Sequence, residues 1–156
     1  MKKVLLLMAL GLILTYCSSK KAAAEKVGEP VVQYRDDFKS VSDKKKVEFL
    51  NQLNAQNKTA SVIILTKGYK GEDVSISNEK KQLYNGNPIT NLGTGIAGYI
   101  KIDNTSNTKI VDKFSKKEAV IDSENAKKYK FIYIMQDYTL SNPFKITYSN
   151  TLRPLK

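Results

Sequence analysis

The side chains that could do chemistry in this 156-residue chain are few in kind. The chain has no histidine, and its one cysteine, Cys17, lies near the N-terminus. Ser-His-Asp and Cys-His catalysis, like the usual zinc sites, depend on histidine and cysteine side chains. The sequence therefore excludes those chemistries, and we predict neither a cofactor nor a metal site.

Carboxylates are the remaining candidates for catalysis, since a pair of them can hydrolyse a glycosidic bond. Nearly all of these acids border predicted turns or face outward on predicted strands, where acids are expected for structural reasons. They are Asp36, Asp37, Glu72, Asp73, Asp103, Asp112, Asp122 and Asp137. We predict a protein without enzymatic activity and without catalytic residues, and keep a carboxylate-only glycan hydrolase as the least favoured alternative.

Two loops carry patterns that are also found in ligand sites. Residues 93–98 read G-x-G-x-x-G, but a loop precedes them and an alternating strand follows, whereas a dinucleotide site needs a strand before and a helix after. Residues 103–107 offer oxygen ligands suited to calcium, although the same residue types are common turn formers. We predict a bend at the first and a turn at the second.

Tyr69 and Lys70 are the candidate ligand-binding residues. They lie between Gly68 and Gly71, in what the pattern predicts to be an exposed hairpin tip. A rigid ring with a polar end, beside a cation, suits contact with a sugar or a protein. We predict that both residues bind a glycan or a protein together with part of loop 86–95, since long loops are often functional. The alternative is that both loops are ordinary connectors.

The N-terminus has the features of an export signal. Lys2 and Lys3 precede an apolar run over residues 4–14, which is shorter than the ~20 residues of a membrane-spanning helix. A charged start followed by a short apolar core is typical of a secretory signal peptide. Leu14-Thr15-Tyr16-Cys17 follows this core directly.

This last segment resembles the lipobox of bacterial lipoproteins, in which a leucine lies three residues before the modified cysteine. The resemblance implies cleavage before Cys17, attachment of lipid to its thiol and acylation of the new amine. It also implies an outer-membrane location facing the periplasm or the cell surface. The alternative is cleavage at the A-x-A pattern of residues 22–24, which would give a secreted or periplasmic soluble protein.

The predicted organisation is therefore a signal peptide over residues 1–16, a lipidated tether over 17–30 and one domain over 31–156. Cleavage would lower the net charge from +11 to +9, because two lysines and no acids are lost. An excess of positive charge favours anionic partners. The lysines, however, are dispersed as a triplet and doublets, which indicates a solvated surface rather than a nucleic-acid interface. We expect a monomer attached to the membrane through Cys17.

The elements that must position these residues are mostly strands. Residues 42–57 predict one short helix, with Ser42 as its cap and Val47, Leu50 and Leu53 on its apolar face. From Ala60 onward, short alternating or apolar runs separated by turn residues predict seven or eight strands. The runs are 60–66, 73–77, 81–85, 99–103, 109–114, 118–122, 129–135 and 144–149. In the run 129–135 the residues Tyr129, Phe131, Tyr133 and Met135 face one way and Ile132 and Ile134 the other, and we expect Phe131, Tyr133, Ile134 and Ile146 in or near the core. The spacing of the runs predicts a mainly β fold, an antiparallel β-sandwich that is immunoglobulin-like or related.

These features together favour a lipid-anchored, non-enzymatic binding or accessory module of the bacterial cell envelope. A signal and a tether would display one compact domain, and loops at the ends of a strand-rich domain are common recognition sites. The sequence does not identify the ligand. The main alternative is a lipoprotein of the inhibitor or immunity type, which would bind one protein partner.

Overall fold

A computed structural model describes residues 28–155; Cys17, the predicted signal peptide and most of the predicted tether lie outside the described residues. The described part contains nine strands and two helices. In chain order they are β1 (Val31–Tyr34), α1 (Asp43–Gln52), β2 (Ala60–Leu65), β3 (Val74–Asn78), β4 (Gln82–Gly86), β5 (Gly98–Asp103), β6 (Thr108–Asp112), β7 (Lys117–Ile121), α2 (Ser123–Lys128), β8 (Phe131–Gln136) and β9 (Phe144–Ser149).

The strands form two sheets, which confirms the prediction of a mainly β sandwich. Sheet 1 has the order β1-β9-β8-β2-β5, and sheet 2 has the order β4-β3-β6-β7. All pairs of sheet 2 are antiparallel, whereas sheet 1 also contains two parallel pairs, β1 with β9 and β2 with β8. Parallel pairing needs a long crossover connection, which the sequence pattern did not reveal.

Strands β2 and β8 lie in the middle of sheet 1 and are buried on both faces. Ile63 and Ile132 point toward sheet 2 and join the core between the sheets. Val62 and Phe131 point the other way, into a second core beneath α1. The molecule therefore has three layers, α1 over sheet 1 over sheet 2, and β2 and β8 connect its two cores.

Helix α1 begins where the sequence predicts, because the Ser42 side chain accepts a hydrogen bond from the backbone N–H of Lys45. The predicted apolar face was partly wrong: Val47 is 54% exposed. The stripe facing the sheet instead consists of Lys46, whose ammonium group lies 5.5 Å from the centre of the Phe131 ring, together with Phe49, Leu50 and Leu53, a spacing that suits one helical face. The helix also ends earlier, at Gln52, and Asn54 follows with a left-handed backbone (φ 49°).

Two elements were not predicted from the sequence. Strand β1 is only four residues long and half-buried, so its alternation gave little signal. Helix α2 has six residues and is capped by Asp122, whose side chain accepts a hydrogen bond from the backbone N–H of Asn125. No helix among residues 28–155 is long and apolar enough to cross a membrane.

One end of the sandwich, called the loop end below, is formed by residues 66–73, 87–97, 113–116 and 137–143. Strands β2, β4, β6 and β8 all finish there. Its loops are joined by backbone hydrogen bonds from Gly71 to Pro88 (3.0 Å) and from Lys113 to Asp73 (2.9 Å). Gly28 also lies at this end, where its carbonyl accepts a hydrogen bond from Asn142.

Truncating Phe131 should destabilise the protein strongly, because its ring is fully buried in the core beneath α1. We expect Phe131→Ala to lower the free energy of unfolding by about 3–5 kcal/mol, measured by chemical denaturation. The matched control is Phe114→Ala, since the Phe114 ring is exposed and its removal should cost less than about 0.5 kcal/mol. Equal losses for the two variants would contradict the assigned core.

Candidate functional site

The structure corrects the predicted exposure of Tyr69. Its side chain is 2% exposed and packs in the core between the two sheets, and burial raises the pKa of its phenol well above the usual range. Strands β2 and β3 belong to different sheets, so their connection crosses the end of the sandwich instead of forming a hairpin. An inward side chain in such a crossing fills the end of the core. The ring of Tyr69 is therefore not displayed at a loop tip as predicted.

Gly68 makes this crossing possible. Its backbone is left-handed (φ 96°), and a Cβ at this position would overlap the carbonyl oxygen of Gln136. Only glycine adopts this conformation so close to another backbone. Tyr69 is then fixed in place by two hydrogen bonds with Thr90, one from its N–H to the Thr90 hydroxyl and one to its carbonyl from the Thr90 N–H.

Lys70 is exposed, as predicted, and the loop over 68–71 meets the loop over 86–95. Lys70 forms a β-bridge with Ile89, and its backbone N–H donates to the Glu72 carboxylate at 2.7 Å. The two loops enclose an open pocket of about 600 Å³, called the Lys70 pocket below. It is lined by Lys67, Gly68, Tyr69, Lys70, Ile89, Thr90, Leu92 and Gly95.

The two other ligand-like patterns form turns. In residues 91–96 the Asn91 side chain accepts hydrogen bonds from the N–H groups of Gly93 and Thr94, and β5, not a helix, follows. In residues 103–107 the Asp103 carboxylate accepts hydrogen bonds from the backbone and hydroxyl of Thr105. Asn104 is buried and donates to the Lys58 carbonyl. Both segments therefore have the local structure that their turn-forming residues predict.

A second concave site lies on the α1 face of sheet 1. It is a groove of about 440 Å³, called the Arg153 groove below, between the end of β8, the turn at 94–96 and the C-terminal segment. Its lining residues are Phe38, Lys39, Thr66, Lys67, Thr94, Gly95, Ile96, Tyr133, Met135, Arg153, Pro154 and Leu155. Lys67 and Gly95 line both this groove and the Lys70 pocket, so the two are neighbours.

Arg153 is held by two aromatic rings. The central carbon of its guanidinium lies 3.9 Å from the centre of the Tyr133 ring and 4.7 Å from that of Phe38. Its backbone N–H donates to the Tyr133 hydroxyl, which itself donates to the Thr151 carbonyl at 2.8 Å. Burial raises the pKa of the Tyr133 phenol, so this donor stays protonated. Cation–π contacts of this kind fix the orientation of a guanidinium without neutralising it.

The charges in the groove are unbalanced. Lys39, Lys67 and Arg153 line it, none of its lining residues is acidic, and no ion pair found within residues 28–155 involves these three cations. The other arginine differs in this respect, because both side-chain oxygens of Asp37 accept hydrogen bonds from Arg35, at 2.8 and 2.9 Å. The side chains that line the groove therefore carry a net positive charge, and they include no carboxylate pair for acid–base catalysis.

Asp36 positions the chain that carries Arg153. Its Oδ1 atom accepts hydrogen bonds from the Ser149 hydroxyl and from the N–H groups of Asn150 and Thr151. These donors, with Ser149 contributing most, hold the pKa of the Asp36 carboxyl below its usual range. The turn after β9 is thereby fixed, and the following residues run across the α1 face, where the Val41 N–H donates to the Leu152 carbonyl.

Sequence reasoning missed most of this site. Tyr133 was predicted only as part of the core, and Phe38, Lys39 and Lys67 were not singled out. The available signal was that Arg153 is one of two arginines in a lysine-rich chain. Its aromatic partners, Phe38 and Tyr133, are distant from Arg153 in the sequence. Their contact with Arg153 depends on the path of the C-terminal segment, which the sequence pattern does not predict.

No protein-family model matches the sequence, and no curated protein matches it either.

Removing the Asp36 carboxylate should destabilise the fold in a pH-dependent way. Because the folded-state pKa is lowered, its contribution is present above the unfolded-state pKa and is lost as the pH falls through the folded-state value. We expect Asp36→Ala to cost roughly 0.5–1 kcal/mol at pH 7, a small value for hydrogen bonds of an exposed carboxylate. Denaturation of both proteins from pH 7 to pH 2 should show this difference disappearing in acid. Asp37→Ala, which removes only a surface pair, is the control and should change stability little.

Proposed function

We propose that this chain is a lipid-anchored binding module of the bacterial cell envelope, without enzymatic activity, and that its ligand site is the Arg153 groove. The observation that supports this most directly is the state of Arg153. Its guanidinium is oriented by Phe38 and Tyr133, faces a groove and has no carboxylate partner among the described residues. A fixed, unpaired cation in a concave site is an arrangement suited to binding an anion.

The chemistry of the groove favours an acidic glycan. A guanidinium presents a planar fork of donors that pairs with a carboxylate or a phosphate through two hydrogen bonds. Lys39 and Lys67 add two further cations at the rim. The wall formed by Ile96, Met135 and Leu155 is apolar, which suits the C–H face of a sugar ring. A volume of about 440 Å³ lies within the usual range for small-molecule sites.

The Lys70 pocket extends this site. Because Lys67 and Gly95 line both cavities, a ligand longer than one sugar can pass from the Arg153 groove toward Lys70. Lys70 thus keeps the binding role predicted from the sequence, as a cation that contacts the far end of the ligand. Tyr69 has a different role from the one predicted. Its ring is buried beneath the pocket lining, so it stabilises the pocket and does not stack on the ligand.

The envelope location is supported by the N-terminal sequence. The apolar run over residues 4–14 and Leu14-Thr15-Tyr16-Cys17 resemble a lipoprotein signal. A binding module without catalytic groups gains from such an anchor, because attachment keeps its site at high local concentration near envelope glycans.

Lipid attachment should depend on Cys17, the one cysteine in the chain. In cells fed radiolabelled palmitate, we expect the wild-type protein to incorporate label and Cys17→Ala to incorporate none, because the thiol is the acceptor. The variant should then be found as a soluble protein or as an unprocessed precursor. An unlabelled wild-type protein with Glu25 as its mature N-terminus would contradict the anchor.

Acidic glycans should bind through Arg153. We expect uronic-acid oligosaccharides to bind the wild-type protein more tightly than neutral oligosaccharides of the same length, measured by calorimetry. Arg153→Gln should weaken this binding about tenfold or more, because it removes charge-assisted hydrogen bonds. Arg35→Gln is the matched control: the Arg35 guanidinium also lies over the Phe38 ring, at 4.8 Å, but it does not line the groove and is already paired with Asp37, so its loss should reduce affinity much less. Equal binding of acidic and neutral glycans, or equal losses for both variants, would contradict the proposal.

A further inference from the structure

The most exposed large apolar side chains of the described residues share one location. Leu92 is 96% exposed, Phe114 75% and Ile89 67%, and no other large hydrophobic side chain within residues 28–155 is as exposed as these three. All three lie at the loop end, in the loops before β5 and between β6 and β7. Isolated exposed hydrophobics are common on protein surfaces, but a group of them at one end indicates a contact surface.

The loops that carry these side chains are held in place by hydrogen bonds. Leu92 lies in the turn that Asn91 organises, and Ile89 forms a bridge with Lys70. The backbone N–H of Phe114 donates to Asp112 at 2.9 Å, and the ring of Phe114 meets that of Tyr138 edge-on at 5.9 Å. The same Asp112 side chain accepts a hydrogen bond from the Tyr138 hydroxyl. The apolar tips are therefore preformed and point away from both cores.

Lysines surround these tips. Lys67, Lys70 and Lys116 are exposed at the loop end, as is Lys117 at the adjoining start of β7, and none of them is in an ion pair found within residues 28–155. The acids of this end keep their charge, but each is held close to the domain by a local donor: Glu72 by the Lys70 N–H, Asp73 by Lys113, Asp112 by Tyr138 and Asp137 by Thr139. Apolar tips among free lysines are typical of surfaces that contact a bilayer, where lysines reach the lipid phosphates.

The covalent path of the chain leads to the same end. Gly28 is the first described residue, and its N–H donates to the Ser141 hydroxyl while its carbonyl accepts from Asn142. Cys17 precedes it by 11 residues, which span at most about 40 Å even when fully extended. If Cys17 carries the lipid, as the proposed function states, the loop end is the part of the domain tied closest to the membrane.

We propose that the loop end docks on the surface of the membrane that holds the lipid anchor, with Leu92, Ile89 and Phe114 inserted among the lipids and Lys116 and Lys117 on anionic head groups, while Lys67 and Lys70 remain part of the glycan site. The anchor and the docked loops then act together, because a tethered domain meets the bilayer at high effective concentration. Docking also fixes the orientation of the Arg153 groove, which opens beside the loop end on the α1 face of sheet 1. The groove therefore faces along the membrane surface, where envelope glycans are attached.

The test uses the lipidated mature protein in vesicles of phosphatidylethanolamine and phosphatidylglycerol with brominated acyl chains. Acylated Cys17 has no free thiol, so Leu92→Cys and Glu79→Cys each provide a single site for a fluorescent label. Residue 79 is exposed in the turn between β3 and β4, at the opposite end of the sandwich. We expect bromine quenching about threefold stronger at residue 92 than at residue 79, since only an inserted label reaches the acyl chains. Adding Ile89→Glu or Phe114→Glu should reduce the quenching at residue 92.

The outcomes separate docking from anchoring. Equal quenching at residues 92 and 79 in an acylated protein would overturn the docking proposal and leave the anchor intact. If the protein incorporates no fatty acid, the lipid-anchor proposal is wrong. Membrane docking is then tested separately, by sedimentation of the secreted protein with the same vesicles. A loss of roughly tenfold in vesicle binding for Leu92→Glu would then support it, since burial of one leucine is worth about that much. Equal sedimentation of variant and wild type would overturn it.

Discussion

The pairing of β2 with β8 is the interaction on which the rest of the structure depends. These two parallel strands are buried on both faces, and their register places Ile63 beside Ile132 and Val62 beside Phe131. Each strand therefore contributes to the core between the sheets and to the core beneath α1. A register slip of one residue would move each set of side chains into the other core, where the neighbouring residues are different. The apolar surface that these strands bury on both sides fixes the positions of all three layers.

The candidate site follows from this pairing. Because β2 and β8 are parallel, both end at the same side of the molecule, where Thr66, Lys67 and Met135 line the Arg153 groove. The register also turns Tyr133 toward α1, and there its ring holds Arg153 in place. The chain leaving β2 must cross to sheet 2, and this crossing buries Tyr69 and turns Lys70 outward. Residues of the core thus position a cationic surface without contributing charge themselves.

Local features of the sequence predicted much of the fold. The alternation of β8 gave its two faces correctly, with Phe131 and Tyr133 on one and Ile132 and Ile134 on the other, and Ser42 was correctly predicted as the cap of α1. Features that depend on distant partners were missed. The burial of Tyr69 requires knowing that β2 and β3 lie in different sheets, and the role of Arg153 requires the path of the C-terminal segment. The loop sequence gives neither piece of information, because the same glycines are compatible with a hairpin within one sheet and with a connection between two sheets.

The most direct test of the central claim is the response of the two arginines to an acidic glycan. The chain contains only Arg35 and Arg153, so its nitrogen-15 NMR spectrum has two arginine Nε–H signals. Titration with a uronic-acid oligosaccharide should shift the Arg153 signal in a saturable way and by much more than that of Arg35, because Arg35, which also lies over the Phe38 ring, is paired with Asp37 and does not line the groove. A signal of Arg153 that does not move at saturating glycan, or equal shifts of both signals, would contradict a binding site built around Arg153.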